Sequence, residues 1–159
     1  MMRKKNSINE NDLSRLFVRN QLKKEHRTYL TDSVKEFLEL QGRYLPKNKE
    51  THNTFAKIHD KINLVVTGET AKDIRNRVGI KKSELLRDYF PLNTLVYYSA
   101  MSICAANAIK DGNDPIQAIN KAASNVLPRH YRPQPLSPGK SVRKLEKELE
   151  DMLNNNCSN

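Results

Sequence analysis

Cysteine is scarce: the 159 residues hold only Cys104 and Cys157. Cys104 lies in an apolar segment and Cys157 in a polar tail, and neither has a second Cys or a spaced His beside it. The expectation is two free thiols in a reducing compartment, with no disulfide framework and no zinc site. Glycine is also sparse, with five residues in all, and no Gly-rich phosphate loop, G-x-S-x-G or H-E-x-x-H pattern occurs. Carboxylates are scattered and mostly stand near Lys or Arg. The chain is therefore expected to be no enzyme, with no catalytic residue, no cofactor and no metal. His52 and His59 stand seven apart, whereas metal pairs on a helix sit three or four apart. No apolar run is long enough to span a bilayer. The opening M-M-R-K-K-N-S is not followed by the apolar stretch of a secretory signal. A cytoplasmic protein without a membrane partner is expected, nucleoid-associated if it binds DNA.

Acidic residues are outnumbered. There are 28 Lys and Arg against 18 Asp and Glu, a formal charge of +10 and a pI near 9.7. Residues 1–30 alone carry eight basic and three acidic residues. An excess of this size suits a phosphate backbone better than any neutral ligand. Hydrophobic residues are 37% of the chain, enough for one domain with a modest core and tails.

Strand-like alternation is missing, apart from N-L-V-V-T at 63–67, which could form a short strand. Helical spacing dominates, and the fold class expected is all-α, a compact domain of about six to seven helices over residues 7–127. Residues 1–6 form a basic arm expected to be disordered. Ser7 and Glu10 have capping-box spacing. A helix over about 9–24 would turn Leu13, Leu16, Phe17 and Leu22 inward, with Arg15, Arg19, Lys23 and Lys24 outside. A second would open at Thr31-Asp32-Ser33 and present Val34, Phe37, Leu38, Gln41 and Tyr44. Pro46 and the polar run after it end that helix. A third, about 53–66, aligns Phe55, Ile58, Ile62 and Val65, and Gly68 ends it. Residues 92–109 are apolar nearly all round, which predicts a buried central helix entered through Pro91. Tyr97 and Tyr98 fall in it and read as core. Asp114 and Pro115 open the next helix as cap and first residue, with Ile116, Ile119, Ala122, Ala123 and Val126 on one face.

Four prolines in P-R-H-Y-R-P-Q-P-L-S-P-G, residues 128–139, predict an extended linker. Arg129, His130, Tyr131 and Arg132 within it have a composition that suits stacking on single-stranded bases, or a linker with incidental charge. A mobile C-terminal helix is expected at 140–153, with Val142, Leu145, Leu149 and Met152 at heptad-like spacing. The tail 154–159 is expected to be disordered.

The segment with the most specific pattern is Thr70–Phe90. It reads as a helix over 70–77, a turn at Gly79 and a second helix over 81–90, the outline of a helix-turn-helix. Ile74, Val78, Ile80 and Leu85 would pack where the helices cross. Lys81, Lys82, Ser83 and Arg87 would face DNA. Lys72, Arg75 and Arg77 would hold phosphates together with Arg3, Lys4 and Lys5, although such a start is more often simply solvated. Arg75 stands where that pattern has a small residue, and Asp88 where it has an apolar one.

The stretch F-A-K-I-H-D-K-I-N-L-V-V-T-G-E-T-A-K-D-I-R-N-R, Phe55 to Arg77, resembles part of the RhuM-type and related phage regulatory proteins. There, an aromatic residue and a helix precede G-x-T-A-x-[DE]-I and an Arg. The resemblance covers about a sixth of the chain. It implies a phage or mobile-element protein with a nucleic-acid-linked, regulatory role. The expected function is thus a non-enzymatic regulatory protein binding double-stranded DNA. The alternatives are a helical factor that grips an acidic host or partner protein, and an RNA-binding protein. A homodimer would form through Val142, Leu145, Leu149 and Met152 or through the 95–109 helix.

Overall fold

A computed structural model describes residues 8–45, 47 and 49–157; for Glu50 and Cys157 only the backbone is described. Arg3, Lys4, Lys5, Ser7 and Pro46 lie outside the described residues, so the N-terminal arm, the Ser7 cap and the proline stop fall outside them too. Every regular element among the described residues is helical. They are α1 (Glu10–Gln21), a π turn (Leu22–His26), α2 (Arg27–Leu40), α3 (Lys49–Thr67), α4 (Ala71–Val78), a 3₁₀ turn (Leu86–Tyr89), α5 (Leu92–Lys110), α6 (Pro115–Val126) and α7 (Val142–Cys157). N-L-V-V-T at 63–67 belongs to α3 rather than to a strand.

Asn9 caps α1, its side chain accepting the amide of Asp12 at 2.8 Å. No break follows at Thr31. The π turn joins α1 to α2 in one long rod, and the amides of Thr31-Asp32-Ser33 are already engaged in it. A π turn carries an extra residue, so α2 presents a row offset from that of α1. Leu30, Val34 and Leu38 of that row are buried.

α5 is the centre. It packs against α6, α2, α1 and α3, and Leu95, Met101, Ala105 and Ala106 are fully buried on it. Its small residues let neighbouring helices approach closely. Pro91 precedes this helix as its cap, one position earlier than expected, whereas Asp114 caps α6 with Pro115 first inside it, as expected.

The C-terminal third departs most from expectation. Residues 128–139 turn at Arg129-His130, where the Tyr131 amide donates to Pro128 O at 3.0 Å, and then run extended against the body as a strap. Tyr131 Oη donates to the Val66 carbonyl, the Gly139 amide donates to Tyr89 O at 2.9 Å, and Leu136 is buried. Arg77 donates to Leu136 O at 2.8 Å. Tyr131 also meets Tyr97 edge-on, with ring centroids 5.4 Å apart. α7 then docks on α1, burying Val142 and Leu145, and runs on through the expected tail to Cys157. Two of the four residues named for a dimer seam, Val142 and Leu145, are thus buried inside the chain, whereas Met152 is 47% exposed, and α5 lies at the centre of the fold.

Candidate functional site: an arginine-lined cleft and a basic face

α4 forms as the sequence predicts. Thr70 and Asp73 make a reciprocal capping box, and Gly79 ends the helix in the left-handed region at φ 74°. No left-handed residue other than glycine occurs among the described residues, so Gly79 fits this stop for a steric reason.

The second helix of the expected helix-turn-helix is absent. Residues 81–85 are a turn and an extended residue, followed by the four-residue 3₁₀ turn. Leu86, Asp88 and Phe90 are all buried. Leu85, expected at the crossing, is 42% exposed, while Ile74 is fully buried. Asp88, the residue out of place in the helix-turn-helix pattern, has an ionic partner instead.

That partner is Arg19. Its Nε lies 2.9 Å from Asp88 Oδ1, and each side chain is only 4% exposed. Its Nη1 reaches Asn20 at 2.6 Å and Glu146 of α7 at 3.7 Å. Arg15, one turn earlier, is buried as well. It donates to Phe90 O at 2.9 Å, Lys140 O at 2.7 Å and Asp88 O at 3.3 Å, and it pairs with Asp12 at 3.2 Å. Part of the expected face is therefore reversed: Arg15 and Arg19 point inward and Leu13 and Phe17 are 44% and 65% exposed, whereas Leu16 is half-buried, Leu22 is buried, and Lys23 and Lys24 are outside as expected. The carbonyls of Asp88, Phe90 and Lys140 lie outside α-helices, and Arg15 satisfies them, while Arg19 takes the Asp88 carboxylate.

The expected phosphate-contacting residues separate into two groups. Arg75 donates to Lys81 O at 2.6 Å and shapes the loop after α4. Arg77 makes a two-pronged contact with Glu69 at 2.7 and 2.8 Å. The Arg77 hydrogen bonds hold the Glu69 carboxyl below its ordinary range. Lys72, Lys81, Lys82 and Ser83 are exposed, and these lysines make no ion pair among the described residues. Across a groove of about 240 Å³ from Glu84, Leu85 and Asp88 stand Arg143, Lys144 and Lys147 of α7. The structure thus sets the basic cluster of α7 beside the acidic end of the loop that carries Lys81 and Lys82, and the α7 cluster carried no signal in the sequence beyond charge. Arg129, His130 and Arg132 are exposed on the strap.

Arg87 belongs elsewhere. It turns into a cleft of about 290 Å³ between α2, α3, α4 and α5, lined also by Arg27, His59, Asp60, Arg75 and Tyr98. Burial lowers the pKa of both Arg27 and Arg87, and their mutual repulsion lowers that of Arg87 further. The Tyr98 hydroxyl is pushed well up, first by burial and then by Asp60. Asp60 Oδ1 accepts the Ala71 amide at 3.0 Å and Asn63 Nδ2 at 3.2 Å. No motif marks this cleft in the sequence. Arg27 reads there as one basic residue among many, and Tyr98 as core, which it is.

His59 is pushed down to about 4 by burial and then by Arg27 and Arg87, with Asp60 opposing. A histidine depressed in the folded state is neutral there while the unfolded chain takes up a proton. Stability is then fully present above the unfolded value near 6.5 and falls as pH drops toward 4. Between pH 7 and pH 5 the loss attributable to His59 is about 2 kcal/mol. Urea denaturation at the two pH values is expected to show it, and His59→Gln to remove it. If the variant loses as much as the parent, another group carries the dependence.

No group of three or more His, Cys, Asp and Glu among the described residues is placed to hold a metal ion. No helix among them is long and apolar enough to cross a membrane. What the fold defines is an all-helical domain with an arginine-lined cleft and a basic face. Comparison with protein-family models, curated proteins and solved structures finds no match to this chain.

Proposed function

We propose that the chain is a non-enzymatic nucleic-acid-binding protein that holds the backbone of double-stranded DNA on a basic face, without a recognition helix. One observation carries the reading. Among the described basic residues only Arg15, Arg19 and Arg77 form ion pairs, so most of the positive charge is left to solvent. Arg143, Lys144 and Lys147 of α7 line one groove opposite Glu84, Leu85 and Asp88, and Lys81 and Lys82 stand exposed on the loop just before Glu84. The phage-regulator resemblance of Phe55–Arg77 supports the same reading.

Binding of this kind releases counterions, so affinity falls with salt at a log–log slope of about −0.9 per phosphate engaged. Four to six contacts give a slope of about −4 to −5. Lys81→Glu with Lys82→Glu is expected to weaken duplex binding by roughly tenfold or more and to flatten the slope by about 2. Fluorescence anisotropy on a random-sequence duplex between low and moderate salt reads both. Both lysines are exposed, so circular dichroism should stay unchanged. Undiminished binding by this variant would sink the assignment, and an RNA duplex of equal length decides between the two nucleic acids.

A second reading, a helical interaction factor, is favoured by Leu13 and Phe17, exposed one turn apart on α1. Recovery of a partner from lysate that survives nuclease and is lost in Phe17→Ser would favour it.

A further inference from the structure

The cleft between α2, α3, α4 and α5 holds an imbalance that the fold does not resolve. Arg27, Arg75 and Arg87 line it against the single carboxylate of Asp60. Arg75 is committed to Lys81 O. Arg27 and Arg87 have no ion pair among the described residues. Arg87 Nε is buried without a hydrogen-bond partner, and so is the hydroxyl of Tyr98, a side chain only 8% exposed. Buried donors are normally satisfied, and two cations left facing one another in a part-buried cleft repel. An oxyanion between them would remove both costs at once.

We propose that this cleft is an anion site that receives a phosphomonoester group, held by Arg27 and Arg87, with the Tyr98 hydroxyl as a third donor. Guanidinium groups match phosphate oxygens in pairs, and two of them balance a dianion. A carboxylate would leave one cation unpaired. The volume of about 290 Å³ is several times that of a lone ion, and Leu22, Leu85, Leu86 and Phe90 give the remainder an apolar wall. The phosphate is therefore carried on a small organic body, as at a free nucleoside monophosphate or at the 5′ end of a nucleic-acid strand. Neutral His59 adds no further positive charge to the cleft and has a ring nitrogen that can donate. The assignment goes beyond the duplex reading and does not require it, since it concerns donors inside the cleft rather than the exposed lysines.

The test is thermal unfolding of the full chain in inorganic phosphate against sodium chloride of equal ionic strength. A ligand that binds only the folded state raises the melting temperature as its concentration passes the dissociation constant. Phosphate is expected to raise it above the chloride control. Arg87→Gln and Arg27→Gln should each lower phosphate affinity by about tenfold or more, and Tyr98→Phe by a few-fold. Tyr98→Phe keeps the ring and its packing on Phe90, so it stays informative even if an arginine variant unfolds. A 5′-phosphorylated trinucleotide, its 5′-hydroxyl twin and a nucleoside 5′-monophosphate separate the sources. A preference for the phosphorylated trinucleotide over the monophosphate assigns the site to a strand end, and equal affinity assigns it to a small phosphate ester. No shift in phosphate beyond chloride, an equal shift from acetate, or full shifts in both Arg87→Gln and Tyr98→Phe would overturn the proposal. Lys81→Glu with Lys82→Glu should leave the phosphate shift in place, so failure here and failure of duplex binding are distinguishable.

Discussion

Arg19→Met is expected to destabilise the protein by about 3–5 kcal/mol, a large part of the total stability of a domain this size. The cost does not measure the strength of the Arg19–Asp88 attraction. It arises because methionine leaves the Asp88 carboxylate 4% exposed and without its cation. Removing both charges is far less harmful, since a buried pair replaced by apolar groups is often neutral. Asp88→Leu alone should cost a similar amount, and Arg19→Met with Asp88→Leu should recover most of the loss. Urea denaturation of the four chains forms the cycle. Additive losses in the double variant would show that the two side chains do not act as a pair. The same substitution should loosen α7, because Arg19 also reaches Glu146 at 3.7 Å. Hydrogen exchange at Val142 and Leu145 would report that locally.

Gly139→Ala is expected to cost about 3 kcal/mol, although alanine is ordinarily a mild replacement. A Cβ at Gly139 would stand 2.7 Å from Arg15 Cζ and 2.8 Å from its Nη2. The far end of an exposed arginine would simply swing away. This one is fixed by Phe90 O, Lys140 O, Asp88 O and Asp12, so moving it breaks several charge-assisted bonds and leaves buried carbonyls unpaired. Thermal unfolding compares the variant with Gly112→Ala, where nothing lies within 4 Å of the added carbon and the strain is backbone strain at φ 101°. Arg15→Lys should also destabilise, because one ammonium cannot replace a forked donor set. If Gly139→Ala melts with the parent chain, the strap is not clamped through Arg15.

The helical character of the chain was legible because it rests on local patterns. Thr70, Asp73 and Gly79 delimit α4 by capping and left-handed geometry, and Asp114-Pro115 opens α6 the same way. The apolar girth of residues 92–109 marks a helix that must be buried, and α5 is. The face of α1 was not legible. Leu13 and Phe17 have the spacing of an inner stripe, yet they are exposed, and Arg15 and Arg19 are buried. Periodicity identifies two faces but not which one meets the body, and an arginine can fill the inner face when carbonyls and a carboxylate await it. The second half of the expected helix-turn-helix failed for a related reason. Lys81–Phe90 has a helical composition, but Leu85 and Phe90 are extended, only Leu86–Tyr89 turn as a 3₁₀ helix, and Leu86, Asp88 and Phe90 are buried against distant parts of the chain.

For the site, charge was readable and arrangement was not. The excess of cations and the exposed Lys72, Lys81 and Lys82 follow from composition and position. That Arg87 turns inward to face Arg27 and Tyr98, and that Arg143, Lys144 and Lys147 come beside the loop after α4, depends on contacts between segments distant in the chain. The sequence by itself determined the all-helical class, the caps and stops of α4 and α6, the buried central helix and the net positive charge. Each of these depends on neighbours within a few residues or on a sum over all of them. Only the tertiary structure decided which arginines are buried, that the proline-rich strap is clamped rather than loose, and which cations share a cleft. Those outcomes turn on whether a distant carbonyl or carboxylate comes within hydrogen-bonding distance, and no local spacing encodes that distance.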